Sequence, residues 1–275
     1  MTQQDLMKEQ DQRLKEKMPK IKNKLIVMSG KGGVGKTSVA VNLSYALASF
    51  GREVGLLDVD LHGPNIAKML GIEQASLYTT DLGIEPVEVT AHLKAVSLAL
   101  TGMDCDRPVI WRGPMKNSAI RQFLSDVNWG VLDYLIVDSP PGTGDEPLSV
   151  CQLIPGMTGA VIVTTPQDVA VLDARKSVLF AKELNIPVIG VIENMSGFMC
   201  PHCRQEVDIF KRGGGQKAAE ELNVPFLGRV PLDPELVVSA DSGKPFVSFK
   251  GESAAAKAFI EVVRKIEASL SKGTI

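Results

Sequence analysis

Apolar runs recur along the chain with the spacing of alternating strands and helices. Five runs rich in Val, Ile and Leu are strand-like, and helix-length segments separate most of them: KLIVMS (24–29), EVGLLDVD (53–60), YLIVDSP (134–140), GAVIVTTP (159–166) and IPVIGVIEN (186–194). Continuous apolar strands that alternate with helices are typical of a parallel sheet covered on both faces. The pattern therefore predicts an α/β fold with a doubly wound, mostly parallel sheet flanked by helices.

The remaining segments predict how the chain is divided. Residues 1–23 mix acidic and basic side chains and lack the apolar core of a secretory signal, so we expect a charged, flexible N-terminal arm, with a helical conformation left open. Residues 24–275 contain no convincing linker and are expected to form a single domain. Within it, 93–100 and 224–231 predict two further strands, and 252–270 has the apolar spacing of a helix.

Composition narrows the class of protein. A hydrophobic content of 44% is ample for a buried core, and a net charge of −2 with both signs spread along the chain gives no reason to expect nucleic acid or a membrane surface as partner. No apolar run reaches the roughly 18 residues of a membrane span. Four cysteines are too few for a disulfide scaffold, so we expect a reducing, cytoplasmic location.

The clearest chemical motif is GKGGVGKT, between the first strand and a helix-like segment. It fits GxxxxGK[ST], in which backbone N–H groups and the helix N-terminus hold phosphate oxygens. The expected nucleotide-binding residues are Gly30, Lys31, Gly32, Gly33, Val34, Gly35, Lys36 and Thr37. Lys36 is expected to reach the β and γ phosphates, and Thr37 to bind Mg²⁺.

Carboxylates at two strand ends support a nucleoside triphosphate as ligand. Asp138 follows a hydrophobic strand, as a magnesium-linked carboxylate does in P-loop enzymes, and Asp58 and Asp60 follow another. We expect Asp58 to join the magnesium shell and Asp60 to align the attacking water; the alternative is a pair of solvated strand-end acids. The glycines also satisfy GxGxxG, but a dinucleotide site would need neither Lys36 nor Asp138.

The second chemical motif is the CxxC pair Cys200 and Cys203. Two thiolates are half of what a structural zinc or a four-iron cluster requires, so the same pair from a second copy would complete a shared site. Spacing alone leaves zinc and cluster open, and a thioredoxin-like redox pair is a further alternative. We expect His202 to be a tuning or solvent-facing residue, and Cys105 and Cys151, which are isolated in the sequence, to be ordinary buried or partly buried thiols.

Lys31 adds a second lysine to the loop, and KGGVGKT resembles the signature-lysine class that includes MinD, ParA and the nitrogenase iron protein. Within that class, residues 24 to 250 most resemble the Mrp/ApbC family of iron–sulfur cluster carrier ATPases. Four features carry the resemblance: DVDLHGPN (58–65), RGPM (112–115), DSPPGTGD (138–145), and NMSGFMCPHC followed by the glycines 213–215. The sequence FKRGGG departs from the phenylalanine–glycine usual before that glycine run. Many family members carry an N-terminal domain, whereas the residues before the first strand here are expected to be only a short charged arm without cysteine.

The resemblance implies a homodimeric, magnesium-dependent ATPase that holds a [4Fe–4S] cluster between two CPHC loops and transfers it to apo iron–sulfur proteins, with scaffold proteins as further candidate partners. It implies that Lys31 contacts the partner subunit's nucleotide across the dimer and that Asn194 bonds the adenine edge, which favours ATP over GTP. Two rivals stay open: a positioning ATPase like ParA or MinD whose CxxC pair binds zinc, and a nitrogenase-like reductase, which normally uses two well-separated single cysteines.

Overall fold

The computed structural model describes residues 3–60, 63–81, 83–101, 113–200 and 202–271, with the side chains of residues 3, 4 and 113–116 excepted. The strands are β1 (Ile21–Met28), β2 (Val54–Asp58), β3 (Tyr78–Thr80), β4 (Gly83–Glu85), β5 (Val87–Thr90), β6 (Leu93–Val96), β7 (Leu132–Asp138), β8 (Gly159–Thr164), β9 (Val188–Glu193), β10 (Phe198–Met199), β11 (Glu206–Val207) and β12 (Phe226–Arg229). The helices are α1 (Gln3–Lys17), α2 (Lys36–Ser49), α3 (Ile66–Leu70), α4 (Gly113–Asp126), α5 (Asp145–Leu153), α6 (Asp168–Glu183), α7 (Gly214–Glu221), α8 (Glu235–Asp241), α9 (Phe246–Phe249) and α10 (Ala254–Ser271).

The central sheet has the strand order β12-β9-β8-β1-β7-β2-β6-β5. Every neighbouring pair is parallel except β5 with β6, which is antiparallel at the edge. Each run that the sequence analysis assigned to a strand contains a strand of this sheet. The predicted fold class is confirmed, and the carboxyl ends of β1, β2, β7, β8 and β9 meet along one edge, where ligands of such sheets bind.

Apolar side chains fill both faces of the sheet. On one face α2 and α10 pack against each other and against the strands, with Leu43, Leu47 and Phe259 almost fully buried. The other face is covered by α4 to α7 and includes Trp129. Because the central strands are buried from both sides, they read as continuous apolar runs rather than as an alternating pattern.

The N-terminal residues form the helix that the sequence left open, and this helix packs against the domain instead of extending from it as an arm. Residues 3–17 form helix α1, which packs against α4, and β1 begins at Ile21 rather than at residue 24. Leu14 and Met18 are only 4% and 2% exposed, and Arg13 donates to Asp126 at 2.9 Å. The charged composition gave no sign of this packing, because only a few apolar residues of the helix are buried and its other faces remain in water.

The C-terminal helix predicted over 252–270 is confirmed as α10. Its apolar positions Phe259, Val262, Val263 and Ile266 are each about 1% exposed or less, because they pack on the core beside α2 and β12. Of the helices in the described ranges, none combines the length and the apolar character that a membrane crossing requires.

Candidate functional site

The GKGGVGKT segment forms a loop between β1 and α2 at the carboxyl edge of the sheet. Gly33 and Gly35 adopt positive φ angles of 79° and 80°, a conformation that glycine reaches without a steric cost. Gly30 lies so close to α6 that a Cβ atom there would be 2.2 Å from the backbone of Asp173. Lys36 is the first residue of α2, so the loop ends at a helix N-terminus, which favours a bound anion.

Lys36 and Thr37 both contact Asp138, the strand-end carboxylate that the sequence analysis predicted for the magnesium site. The Lys36 Nζ is 2.6 Å from Asp138 Oδ1, and the Thr37 hydroxyl donates to Asp138 Oδ2 at 2.7 Å. Lys36 is 6% exposed and Asp138 is completely buried, so this is a buried ion pair. Thr37, Asp138 and Asp58 supply the hard oxygen atoms that suit Mg²⁺.

Asp58 lies directly beside Asp138 because β2 and β7 are neighbours and the two residues are in register. Burial, and then the negative charge of Asp138, raise the pKa of Asp58 well above its ordinary value. Burial also raises the pKa of Asp138, although Lys36 and Thr37 oppose that rise. Two carboxylates held together away from water favour a cation between or beside them.

Asp60 and Lys31 line a cavity of about 400 Å³ over the loop. Asp60 Oδ2 is 3.8 Å from Lys36 Nζ, and its backbone N–H donates to Asp58 Oδ1 at 3.1 Å. Lys31 is half-buried at the cavity wall, and its carbonyl accepts a hydrogen bond from Ser29. Lys68 of α3 and Asp241 of α8 also line this cavity, and the sequence analysis did not find them because neither belongs to a motif.

Asn194 follows β9 and contacts the phosphate loop. Its Nδ2 donates to the carbonyl of Val34 at 2.9 Å, and the residue is 5% exposed. A Cβ atom at Gly35 would lie 2.3 Å from the same Nδ2, so only glycine admits this approach. The contact places Asn194 beside the nucleotide loop, and its role at the adenine edge remains a prediction.

Cys200 and Cys203 lie in the turn of a β-hairpin formed by β10 and β11. The Cys200 N–H donates to the Gln205 carbonyl and the Arg204 N–H donates to the Cys200 carbonyl, which closes the turn. Cys203 and His202 are exposed, and Cys200 is partly exposed. Backbone N–H groups of Cys203 and His202, and the Cys203 side chain, lower the pKa of the Cys200 thiol. A low-pKa, accessible thiol is the form that ligates metals.

The two other cysteines do not join this pair in the described residues. Cys151 is 9% exposed in α5, and burial raises the pKa of its thiol to about 11, so the predicted isolated buried thiol is confirmed there. Cys105 lies outside the described residues, as do Leu61 and His62 of DVDLHGPN, Arg112 of RGPM and Pro201 between the cysteines.

Two buried polar residues of the site were missed by the sequence analysis. Ser97, the residue directly after β6, donates to Asp58 Oδ2 at 3.0 Å. Glu193, directly before Asn194, is completely buried and accepts hydrogen bonds from Gly213 and Gly215 at the start of α7. An acidic residue at the end of a wholly apolar strand was the available signal for Glu193.

Known proteins resemble this chain over nearly its whole length. The family model described as NUBPL iron-transfer P-loop NTPase, of the ParA group, matches residues 20–267. A protein of Methanocaldococcus jannaschii named iron-sulfur cluster carrier protein is 53% identical over 261 residues, which cover 95% of this chain and 89% of the relative. A protein of the same name from Saccharolobus solfataricus is 50% identical over 93% of this chain and 86% of its own length.

Solved structures show the same fold. A nucleotide-binding protein in complex with ADP from Archaeoglobus fulgidus is 36% identical, with a TM-score of 0.76 over 86% of this chain and 92% of that one. The cell division ATPase MinD of Pyrococcus furiosus is 24% identical, with a TM-score of 0.64 over 90% of this chain and 99% of its own, and supports the fold alone. The phosphate loop with its buried lysine and aspartates, together with these matches, establishes that the chain belongs to the NUBPL iron-transfer P-loop NTPase family and is an ATP hydrolase of that fold.

Proposed function

We propose that this chain is an ATP-dependent carrier that holds a [4Fe–4S] cluster between two copies of itself and passes the cluster to apo iron–sulfur proteins. The observation that carries the proposal is the hairpin that presents Cys200 and Cys203 at the same edge of the sheet as the phosphate loop. The relatives named iron-sulfur cluster carrier protein support an iron–sulfur cluster as the cargo.

The number of ligands explains why a second copy is needed. Within the described residues, no group of three or more His, Cys, Asp or Glu side chains is placed to hold a metal ion. One hairpin therefore offers two thiolates, whereas a four-iron cluster takes about four. Two hairpins related by a two-fold axis supply the full set, and neither thiol is buried against its own subunit.

The nucleotide site supplies the driving reaction. Lys36 and the loop N–H groups hold the phosphates, while Thr37, Asp138 and Asp58 hold Mg²⁺, which neutralises charge on the phosphate oxygens when bound. Asp60 aligns the attacking water, and Lys31 reaches the partner subunit's nucleotide. ATP thereby draws the two loops together, and hydrolysis changes the geometry or exposure of the bridging cysteines.

Cluster content is measured first, by anaerobic reconstitution with iron and sulfide. We expect about four irons and four sulfides per dimer, with a matching visible spectrum. Cys200→Ala loses them, whereas Cys151→Ala, which removes a thiol outside the hairpin, keeps them. Zinc as the only metal, or no metal in wild type and mutant alike, contradicts the carrier proposal.

Transfer is tested with Lys31→Ala, because Lys31 is not part of the buried ion pair that Lys36 makes. We expect this variant to bind nucleotide and to reconstitute a cluster, but to lose the effect of ATP on the rate of transfer to an apo iron–sulfur protein. Transfer by Lys31→Ala at the wild-type rate and with the wild-type ATP dependence would refute the coupling.

The rival function is a positioning ATPase whose CxxC pairs hold zinc. Such proteins commonly use an amphipathic C-terminal helix to bind a membrane. Here the apolar face of α10 is occupied by the core through Phe259 and Val263, so this helix offers no free apolar face. The fold similarity to MinD is expected for either function and does not distinguish them. Measuring whether the protein binds iron and sulfide or zinc does distinguish them.

A further inference from the structure

We propose that Glu193 is a positioning residue that fixes the cysteine hairpin relative to the phosphate loop. This inference rests on the proposed function, and it concerns how the two sites communicate. Glu193 is the last residue of β9, and the next residue, Asn194, contacts the phosphate loop through Val34. Of these two adjacent residues, Asn194 contacts the phosphate loop and Glu193 contacts the segment that follows the cysteine hairpin.

The Glu193 carboxylate is held by donors from the segment that follows the hairpin. Its Oε1 accepts from the Gly213 N–H at 2.8 Å and from the Ser196 hydroxyl at 2.5 Å, and its Oε2 accepts from the Gly215 N–H at 2.6 Å. Arg229 Nε is 3.5 Å from Oε1. Hydrogen bonds to a buried carboxylate are short and directional, so they fix the start of α7 on the end of β9.

The glycine run is what allows this close approach. Gly213 has a φ of +88° at the start of α7. A Cβ atom at Gly214 would lie 2.5 Å from the Pro166 carbonyl, and one at Gly215 would lie 2.9 Å from the Thr164 methyl group and 3.1 Å from Glu193 Oε2. The helix start therefore sits directly on the strand ends, where a side chain at either glycine would not fit.

Arg212 connects the start of α7 to the hairpin, in addition to the hydrogen bond from the Leu232 N–H to the Gly197 carbonyl at 2.8 Å. Arg212, immediately before Gly213, pairs with Glu206 of β11 and lies 3.5 Å from Asp208. Its guanidinium also packs against Gly197, just before β10. Contacts therefore run without a break from the phosphate loop through Asn194, Glu193 and the glycine run to both strands of the hairpin that bears the cysteines.

Both acceptor oxygens of Glu193 are required. Gln keeps the size of the side chain but has one acceptor oxygen, so its NH₂ group would face the N–H of Gly213 or Gly215. Two donors pointed at each other in a buried site repel, and one N–H is left without a partner. Glu193→Gln should thus loosen the start of α7 while leaving the phosphate loop residues unchanged.

The test measures alkylation of Cys200 and Cys203 by iodoacetamide in the cluster-free protein, by peptide mass spectrometry, without nucleotide and with saturating magnesium and a non-hydrolysable ATP analogue. Saturation is established for each variant by titration. The matched control is Glu220→Gln, the same change on the exposed side of α7. Ser196→Ala removes one donor to Glu193 and serves as a milder second variant.

We expect nucleotide to change the alkylation rate about fivefold or more in wild type and in Glu220→Gln, about twofold or less in Glu193→Gln, and to an intermediate degree in Ser196→Ala. A wild-type response in Glu193→Gln, or no response in wild type, overturns the inference. If thermal melting shows Glu193→Gln to be unfolded, an undiminished response in Ser196→Ala overturns it. Because no cluster is present, the result is independent of whether the protein holds iron.

Discussion

Replacing Lys36 with alanine should destabilise the nucleotide-free protein far more than the loss of an ordinary lysine. Lys36 Nζ lies 2.6 Å from Asp138 Oδ1 and 3.8 Å from Asp60 Oδ2, and it is 6% exposed. Its removal leaves Asp138 buried without a cationic partner and in register with Asp58, whose pKa is already raised by burial and by Asp138.

The expected magnitude follows from the burial of the pair. Breaking a buried ion pair by removing one partner costs about 3–5 kcal/mol of unfolding free energy. In domains of somewhat smaller size, about 1 kcal/mol shifts Tm by roughly 2–4 °C, so Lys36→Ala should lower Tm by about 6–20 °C. Lys36→Ala/Asp58→Asn should recover part of the loss, because it removes one of the two neighbouring carboxylates.

The pH dependence of this loss has a definite sign. The pKa values of Asp58 and Asp138 are raised in the folded protein, so the folded state takes up protons at pH values where the unfolded chain remains ionised. Their contribution to stability therefore grows as pH falls toward and through the raised values. The deficit of Lys36→Ala should therefore shrink as the pH falls toward the raised pKa values of the two carboxyl groups.

Thermal and urea unfolding of nucleotide-free protein measure both effects. The control is Lys31→Ala in the same loop, which removes a half-buried lysine at the cavity wall and should change stability by about 0.5 kcal/mol or less. The reasoning is refuted if Lys36→Ala matches Lys31→Ala, or if its deficit grows as pH falls.

Two further predictions concern the cysteines and the N-terminal helix. In the cluster-free protein the alkylation rate of Cys200 should reach half its maximum below pH 9, because the pKa of its thiol is lowered. Cys151, with a pKa of about 11, should remain almost unreactive at that pH. The same dependence of alkylation rate on pH for both cysteines, measured by mass spectrometry, would contradict these pKa shifts. Leu14→Ala should lower the free energy of unfolding in urea by about 2–5 kcal/mol, because Leu14 is 4% exposed. Leu6→Ala, at a position that is 42% exposed, should lower it much less. Equal and negligible losses in the two variants would show that the N-terminal helix is not packed on the domain.

Local sequence was sufficient to predict a site wherever the motif directly follows or precedes the strand or helix that positions it. The GKGGVGKT loop, the strand before it and helix α2 after it occur as predicted, because the glycine positions and the apolar periods are short-range properties. The strand ends at Asp58 and Asp138 were likewise readable. That these two carboxylates lie side by side depends on β2 pairing with β7, which no local pattern specifies.

The N-terminal helix shows where composition misleads. Residues 3–17 are mostly charged, and such a composition favours disorder when a segment is considered alone. Burial of Leu14 and Met18 and the contact of Arg13 with Asp126 anchor the helix to a surface that exists only after α4 has packed. The docking energy therefore comes from residues more than a hundred positions away.

By itself, the sequence determined the class of fold, the phosphate loop, the carboxylates available to it and the CxxC pair, because each depends on residue types at fixed short spacings. Only the tertiary structure decided that Lys36 is paired with Asp138, that Asn194 contacts Val34, and that Glu193 anchors the glycine run behind the hairpin. These contacts join strand ends that are distant in the chain, and the order of strands in the sheet, not their local sequence, brings them within hydrogen-bonding distance.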